Sequence, residues 1–244
     1  MRSFDEAWSA VGDVEGWMTE GQARALYDAA ASCPPGGTIV EIGSFHGRST
    51  IVLASACPPD ARVIAIDPHA GNDRGPQEIE GFEDEAGRDH ERFVRNLADA
   101  GVSERVTHLR LFSDAALAEI EGEIDVLYVD GAHRFAPARA DIVGYGNRVR
   151  DGGTMLIHDS FSSIGVTLAI LRELVPSARW RYDGRSRSLT TYRATGDVNR
   201  RSNAGRQLLQ LGGFAKNIAL KVLLTLGLGK LVRRFGRRQP DWPY

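Results

Sequence analysis

The stretch Thr38–Leu53, TIVEIGSFHGRSTIVL, decides how this chain is read. Thr38 to Ile42 is mostly β-branched and apolar, the composition of a short buried strand. It breaks into the small-residue loop Gly43-Ser44-Phe45-His46-Gly47, and a helix opens at about Arg48. Glycine matters at such a turn because a residue without a Cβ lets the backbone bend sharply and approach a ligand closely. The unpaired N–H groups of the helix start then face whatever the loop holds. The next strand, Arg62 to Ile66, ends in Asp67, about 25 residues past the turn, where a carboxylate can accept both hydroxyls of a ribose.

Outward from this stretch the chain keeps alternating. A helix from Glu85 to Ala100 carries Phe93, Val94 and Leu97 on one face and closes at Gly101. A strand from Val106 to Leu111 precedes a short helix from Asp114 to Ile120. Ile124 to Val129 is the fourth strand, and Pro137 to Val149 reads as the helix after it. The fifth strand, Thr154 to Ile157, leads to a helix from Gly165 to Leu174. Two last strands, Ala178 to Tyr182 and Ser188 to Tyr192, flank Asp183-Gly184-Arg185 and read as a hairpin. Regular alternation of this kind implies an α/β fold: a doubly wound, seven-stranded sheet, mostly parallel, with helices on both faces and one antiparallel edge strand from the hairpin.

Such a sheet binds ligands at the carboxyl ends of its strands, which is where Gly43, Asp67, Asp130, His133, His158 and Asp159 all fall. The polar, glycine-rich insert Pro68 to Asp84 has the length of a functional or flexible loop. Residues 1–37 form an entry segment with one helix, Glu20 to Ala31, stopped by Pro34-Pro35-Gly36-Gly37. Its lead-in, Val14 to Glu20 with Trp17 and Met18, either covers a ligand pocket or, the simpler expectation, caps the core.

Composition sets the outer limits. With 42% hydrophobic and 25% charged residues, the 244-residue chain can bury an ordinary core. Cys33 and Cys57 lack metal spacing and read as reduced apolar residues of a cytoplasmic protein. The N-terminus MRSFDEAW carries acids and no apolar run, so no signal peptide is expected. The net charge of −2 conceals a division: from Arg200 to Tyr244 ten Lys or Arg face the single acid Asp241, making that segment about +9 and the rest about −11.

With the strands placed, VEIGSFHGRST, IDPH, DVLYVDGAH and DGGTMLIHDS together resemble the class I S-adenosylmethionine-dependent methyltransferases, over about Thr38 to Tyr192. Within these the chain is similar to the family 24-like branch of sugar and small-molecule O-methyltransferases, with the catechol-type metal-dependent enzymes as more distant relatives. The resemblance implies a Rossmann-like domain over residues 38–195, preceded by a helical segment, 1–37, and followed by a basic tail, 196–244. It implies that Glu41, Gly43, Ser44, Gly47 and Ser49 surround the methionine end of S-adenosylmethionine. Asp67 then holds the ribose, Ser113 and Asp114 lie near the adenine, and Asp130 borders the cofactor. It also implies a divalent metal, magnesium or manganese, on Asp130, His158 and Asp159, although relatives carry an acid where this chain has His158.

Methyl transfer to an alcohol needs an oxygen placed in line behind the methyl group and relieved of its proton. His133, three residues past Asp130, is the candidate base, with Asp130 and His158 as further catalytic candidates. His46 and His69 could also face the pocket but read more simply as exposed loop residues, and Asp141 as structural. Arg134 and Arg139 carry no assignment.

Residues 203–236 form the other informative run. Leu208, Leu211, Phe214, Ala215, Ile218, Val222, Leu226, Leu228 and Leu231 fall roughly on one side, interrupted by Lys and Arg. No uncharged apolar run approaches the roughly 20 residues of a membrane span. A basic amphipathic helix of this kind suits an anionic membrane surface, and packing on its own domain or in a homodimer is the equal alternative. Nucleic acid is not expected as a partner, because the catalytic part is acidic and the tail has no binding module. The expectation is therefore a cytoplasmic O-methyltransferase, peripheral on the inner membrane face, acting on a hydroxyl of a sugar, glycan, glycolipid or related natural product. The rivals are a catechol-type phenol methyltransferase, a non-methylating relative, and a membrane-attached scaffold that keeps the cofactor fold.

Overall fold

The structure, a computed structural model, describes residues 1–70 and 82–215. Its centre is a seven-stranded sheet in the order β3-β2-β1-β4-β5-β7-β6. The strands are β1 (Thr38–Ile42), β2 (Arg62–Ile66), β3 (Val106–Leu109), β4 (Ile124–Val129), β5 (Val149–Ile157), β6 (Trp180–Ser186) and β7 (Leu189–Ala194). The first five run parallel, and β7 is antiparallel to both β5 and β6. From β1 the chain builds outward to β2 and β3, then returns past β1 to start β4. That reversal opens a crevice at the carboxyl ends of β1 and β4, where a doubly wound sheet takes its ligand. Every residue of these two strands is buried, as a strand covered on both faces requires.

The helices are α1 (Phe4–Ser9), α2 (Glu20–Ala31), α3 (Arg48–Ala56), α4 (Phe82–Asp99), α5 (Ser113–Ala116), α6 (Phe135–Gly144), α7 (Ile164–Glu173) and α8 (Arg200–Leu208). α2 begins with a capping box in which Thr19 and Gln22 exchange side-chain and backbone partners. Its buried residues Ala23, Leu26 and Ala30 recur at helical spacing and pack in the same core as Ile51 of α3. Full burial of Leu26 alone stabilises this docking by about 2 kcal/mol. α1, absent from the sequence reading, is capped by Ser3 and Glu6 and sets the Phe4 ring edge-on to Tyr27 at 5.5 Å.

Several boundaries differ from expectation for identifiable reasons. The helix expected over Pro137 to Val149 is α6, which stops at Gly144; Gly146 to Arg148 form a 3-10 turn and Val149 already pairs with Ile124 in β5. β5 is therefore longer than Thr154 to Ile157, with a register shift against β4 between Ile124 and Val126. β3 ends at Leu109, short of Leu111, and α4 begins at Phe82, ahead of Glu85. The hairpin does not turn at Asp183-Gly184-Arg185. Those residues lie within β6, where Gly184, at φ 132°, takes up a register shift, and the turn falls after Ser186, which pairs with Leu189. Nor is the antiparallel strand at the edge: β7 inserts between β5 and β6. Leu189, Thr190, Tyr192 and Ala194 of β7 are buried, whereas β6 alternates buried with wetter positions, so β6 is the strand that tolerates the edge.

α8 belongs to this domain although the expected boundary placed it in the tail. Asn203, buried, accepts from the Tyr182 N–H at 2.8 Å and donates to the Trp180 carbonyl at 2.9 Å. Gln207, also buried, meets the Tyr192 hydroxyl at 3.1 Å. Leu211 and Phe214 pack on the sheet core, while Leu208 and Leu209 stay 46% and 79% exposed, so the expected one-sided apolar row divides. The remainder of that row, and residues 71–81 of the insert, lie outside the described residues. Among the described residues no helix is long and apolar enough to cross a membrane.

Candidate active site

The glycine loop is shaped by the protein's own packing. Gly43 has φ 89°, and a Cβ there would lie 2.2 Å from the Asp130 carbonyl oxygen. Gly47, at φ 84°, would collide with Leu97 of α4 at 2.6 Å. Both glycines are therefore needed for backbone sign and for close approach of β4 and α4, not only for a ligand. Glu41 is fully buried and accepts from Ser49 Oγ and, at 2.5 Å, from Thr50 Oγ1, which ties the end of β1 to the first turn of α3. Its carboxyl braces the loop from behind, and Ser49 is the member of this pair that reaches the cleft.

In front of the loop lies an open cleft lined on one side by Gly43, Ser44, Phe45 and Ser49 and floored by Tyr128 and Asp130. The opposite wall is Glu15 to Met18, so the N-terminal lead-in covers a pocket, while its Val14 and Met18 also pack on the core as the simpler expectation had it. Arg48 Nη1 anchors it by donating to the Val14 carbonyl at 2.5 Å, and Trp17 sits 5.4 Å from the Phe45 ring. Ser44 Oγ is buried here without a hydrogen-bond partner. Asp67, half-buried, accepts from the Phe45 N–H and the His69 N–H, both at 2.8 Å. A carboxylate offers about four acceptor positions, so Asp67 retains capacity for a diol. A buried hydroxyl lacking a partner, N–H groups at a helix start and an oriented carboxylate fit the amino-acid and ribose ends of S-adenosylmethionine. Ser113 and Asp114 begin α5 and do not line this cleft. Asp114 is exposed, and Ser113 bonds Asp141, which burial raises to about 6. Asp141 is thus structural, as expected.

Beside the cleft, strand ends β4 and β5 bring together Asp130, His133, His158 and Asp159 as two coupled pairs. His133 Nε2 lies 2.8 Å from Asp159 Oδ2, and His158 Nδ1 lies 2.9 Å from Asp130 Oδ1 and 3.8 Å from Asp159 Oδ1. The Tyr128 hydroxyl donates to Asp130 Oδ2 at 2.8 Å. Asp159 adopts the left-handed backbone region, φ 52°, rare for a residue with a side chain and frequent at functional sites. Its hydrogen bond with His133 raises that imidazole above the ordinary value against the effect of burial. Burial is the largest influence on His158 and opposes charge on its ring, while Asp130 and then Asp159 favour it.

One member of this group escaped the sequence reading. Gln22 of α2 places its Nε2 3.2 Å from His158 Nε2. The visible signal was the Thr19-x-x-Gln22 capping box, but nothing in the sequence aims its far end at a residue 136 positions away. His46 and His69 are buried rather than exposed: His46, which lines the cleft as the alternative had it, pairs with Asp89 at 2.8 Å, and His69 pairs with the Phe45 carbonyl at 2.7 Å.

The residues expected to hold magnesium or manganese do not fit a metal. Both nitrogens of His158 are engaged, one by Asp130 and one by Gln22, and Asp159 Oδ2 is taken by His133. Among the described residues no three His, Cys, Asp or Glu side chains converge as ligands. A hard cation would also favour oxygen over this imidazole.

Comparison with known proteins bears on the fold and on the domain that the glycine loop opens. Residues 40–160 match the family model described as a methyltransferase domain. A Corynebacterium glutamicum protein of solved structure is similar with a TM-score of 0.60 at 13% identity, over 82% of this chain and 94% of its own. The O-methyltransferase TomG from Streptomyces achromogenes, involved in tomaymycin synthesis and solved in complex with S-adenosylmethionine, gives 0.54 at 20% identity, over 79% of this chain and 89% of its own. The O-methyltransferase NovP gives 0.58 at 18% identity, over 72% of this chain and 80% of its own. At such identities the structures speak to the fold, and the family match speaks to the chemistry. Over residues 40–160 the chain is a methyltransferase domain, carried on the α/β fold of the S-adenosylmethionine-dependent enzymes.

Proposed function

We propose that the protein transfers the methyl group of S-adenosylmethionine to a hydroxyl of a sugar, glycan, glycolipid or related natural product, without metal assistance. The observation that carries this reading is the His133–Asp159 pair, a half-exposed imidazole held by a buried carboxylate at the rim of the cofactor cleft. When bound, the cofactor supplies an electrophilic methyl on a positively charged sulfur. Ser44 and Ser49 in the cleft, with Asp67 behind the loop at the Phe45 N–H, would hold its polar ends, and Trp17 with Met18 covers the cleft. Asp159 keeps His133 oriented with Nε2 protonated, so Nδ1 takes the acceptor's hydroxyl proton. The developing imidazolium is then stabilised by the same carboxylate. O-methylation of TomG's and NovP's kind supports the oxygen acceptor. The donor set at His158 speaks against the catechol-type rival, which needs a metal.

The test is a methyl-transfer assay over a panel of sugar, glycolipid and phenol acceptors, with calorimetric titration by S-adenosylhomocysteine. His133→Ala should lower kcat by about 10²- to 10⁴-fold while leaving homocysteine-product affinity unchanged. Asp67→Ala should weaken that affinity. Absence of S-adenosylhomocysteine binding by the wild-type protein would sink the reading.

The basic run 203–236 extends the proposal to an anionic membrane surface, where a lipid-linked acceptor would be met. Exposed Leu208 and Leu209 at the start of that run support it.

A further inference from the structure

The N-terminal part of the chain, outside the matched family region, also sends a side chain of α2, Gln22, to His158. Gln22 is fully buried, and its carboxamide is oriented by the cap of α2. Oε1 lies 2.8 Å from the Thr19 backbone nitrogen and 2.9 Å from the Thr19 hydroxyl. A backbone N–H only donates, so the atom facing it is the amide oxygen and the opposite end is the NH2 group. That NH2 donates to Ser188 Oγ at 3.0 Å and points its other hydrogen at His158 Nε2, 3.2 Å away. An amide nitrogen does not accept, so His158 Nε2 must. A proton on it would set two donors against each other in a site closed to water. The ring proton therefore sits on Nδ1, facing Asp130 Oδ1 at 2.9 Å and Asp159 Oδ1 at 3.8 Å.

We infer that Gln22 is a positioning residue that locks His158 as its Nδ1–H tautomer, so that an imidazole N–H donated to Asp130, rather than a metal ion, stands between the Asp130 and Asp159 carboxylates. Asp130 is then held on one oxygen by His158 and on the other by the Tyr128 hydroxyl, which fixes the carboxylate at the boundary of the cofactor cleft. Asp159 is left to orient His133. The two halves of the site are coupled through His158, and the geometry of both depends on a helix that precedes the first strand. The catalytic consequence rests on the methyltransferase reading; the tautomer does not.

The experiment is a long-range proton–nitrogen correlation spectrum of chelator-treated, histidine-labelled protein, with His158 assigned by its loss in His158→Gln. The expected pattern is a protonated Nδ1 and an unprotonated Nε2, unchanged when magnesium or manganese alone is added at equimolar concentration. An unprotonated Nδ1, two protonated nitrogens, or selective broadening of His158 by equimolar manganese would each overturn the inference. The readings themselves are made on the wild-type protein, and His158→Gln serves only to assign the signal. Gln22→Glu supplies the second arm: it keeps an oxygen for Thr19 and turns an acceptor toward His158, so Nε2 should gain a proton. Its kcat should fall, by up to about 10²-fold, with S-adenosylhomocysteine affinity within twofold. A variant with wild-type spectrum and wild-type kcat counts against the role. Calorimetry on the same samples separates the two readings. A wrong tautomer with intact S-adenosylhomocysteine binding rejects Gln22 alone, and the expected tautomer without binding rejects the methyltransferase reading alone.

Discussion

Glu41 is an acid in the middle of an apolar strand, with no solvent contact. Burial raises its pKa to about 8, against the hydrogen bonds from Ser49 and Thr50, which lower it. In the unfolded chain the same group has released its proton above about 4.5. Between those two values the folded state binds the additional proton, so stability contributed by this site falls as pH rises and levels off above about 8. The slope within that window reaches at most about 1.4 kcal/mol per pH unit. Glu41→Gln removes the titration and keeps one acceptor oxygen. Its urea midpoint should change less between pH 5 and pH 8 than the wild-type midpoint does; equal slopes would mean that Glu41 is ionised in the fold. At this scale Asp67, Asp130, His133, His158 and Asp159 were legible because each follows a strand end, where the fold exposes side chains to a ligand. The roles within that set were less legible. Whether His158 accepts a metal or donates to Asp130 depends on Gln22, and that contact is a matter of tertiary placement.

Among elements, α8 carries the clearest consequence. Its attachment to the sheet is polar: Asn203 satisfies both the Tyr182 N–H and the Trp180 carbonyl of β6. Asn203→Ala leaves a buried backbone donor without its acceptor, which costs about 1–3 kcal/mol. That loss should appear as a lower urea midpoint with cofactor affinity retained; a change below about 0.5 kcal/mol would show that water replaces the side chain. The starts of β1, β2 and β4 and the whole of α2 were readable because apolar runs and caps are local signals. The position of β7 was not. Sequence shows that β6 and β7 pair, but not which of them contacts β5, since that is set by which strand fills the buried place with less polar surface. α8 was read as tail for a related reason: Asn203 and Gln207 are polar and look solvent-facing until the backbone groups they satisfy are known.

For the whole molecule the governing quantity is the charge division, about +9 from Arg200 onward against about −11 before it. On the proposed reading, a negative body and a positive tail would orient the protein at an anionic surface, each basic residue near it contributing about 1 kcal/mol. Deleting residues 216–244 leaves α8 and its contacts in place. The full chain should co-sediment with phosphatidylglycerol vesicles at low salt and release at high salt, whereas the shortened chain should stay in the supernatant. Equal behaviour of the two would assign the tail to its own domain or to a second subunit.

The insertion of β7 between β5 and β6 has a consequence for the order of events in synthesis. β5 is complete at Ile157, but the strand that covers its outer edge does not begin until Leu189. While the intervening chain emerges, the backbone of Met155, Leu156 and Ile157 offers unpaired donors and acceptors along an apolar edge, a template for any other strand. The nascent protein is therefore most prone to self-association in the interval before its last two strands fold back. Slower elongation through that interval lengthens the exposure, and a chaperone bound there shortens it.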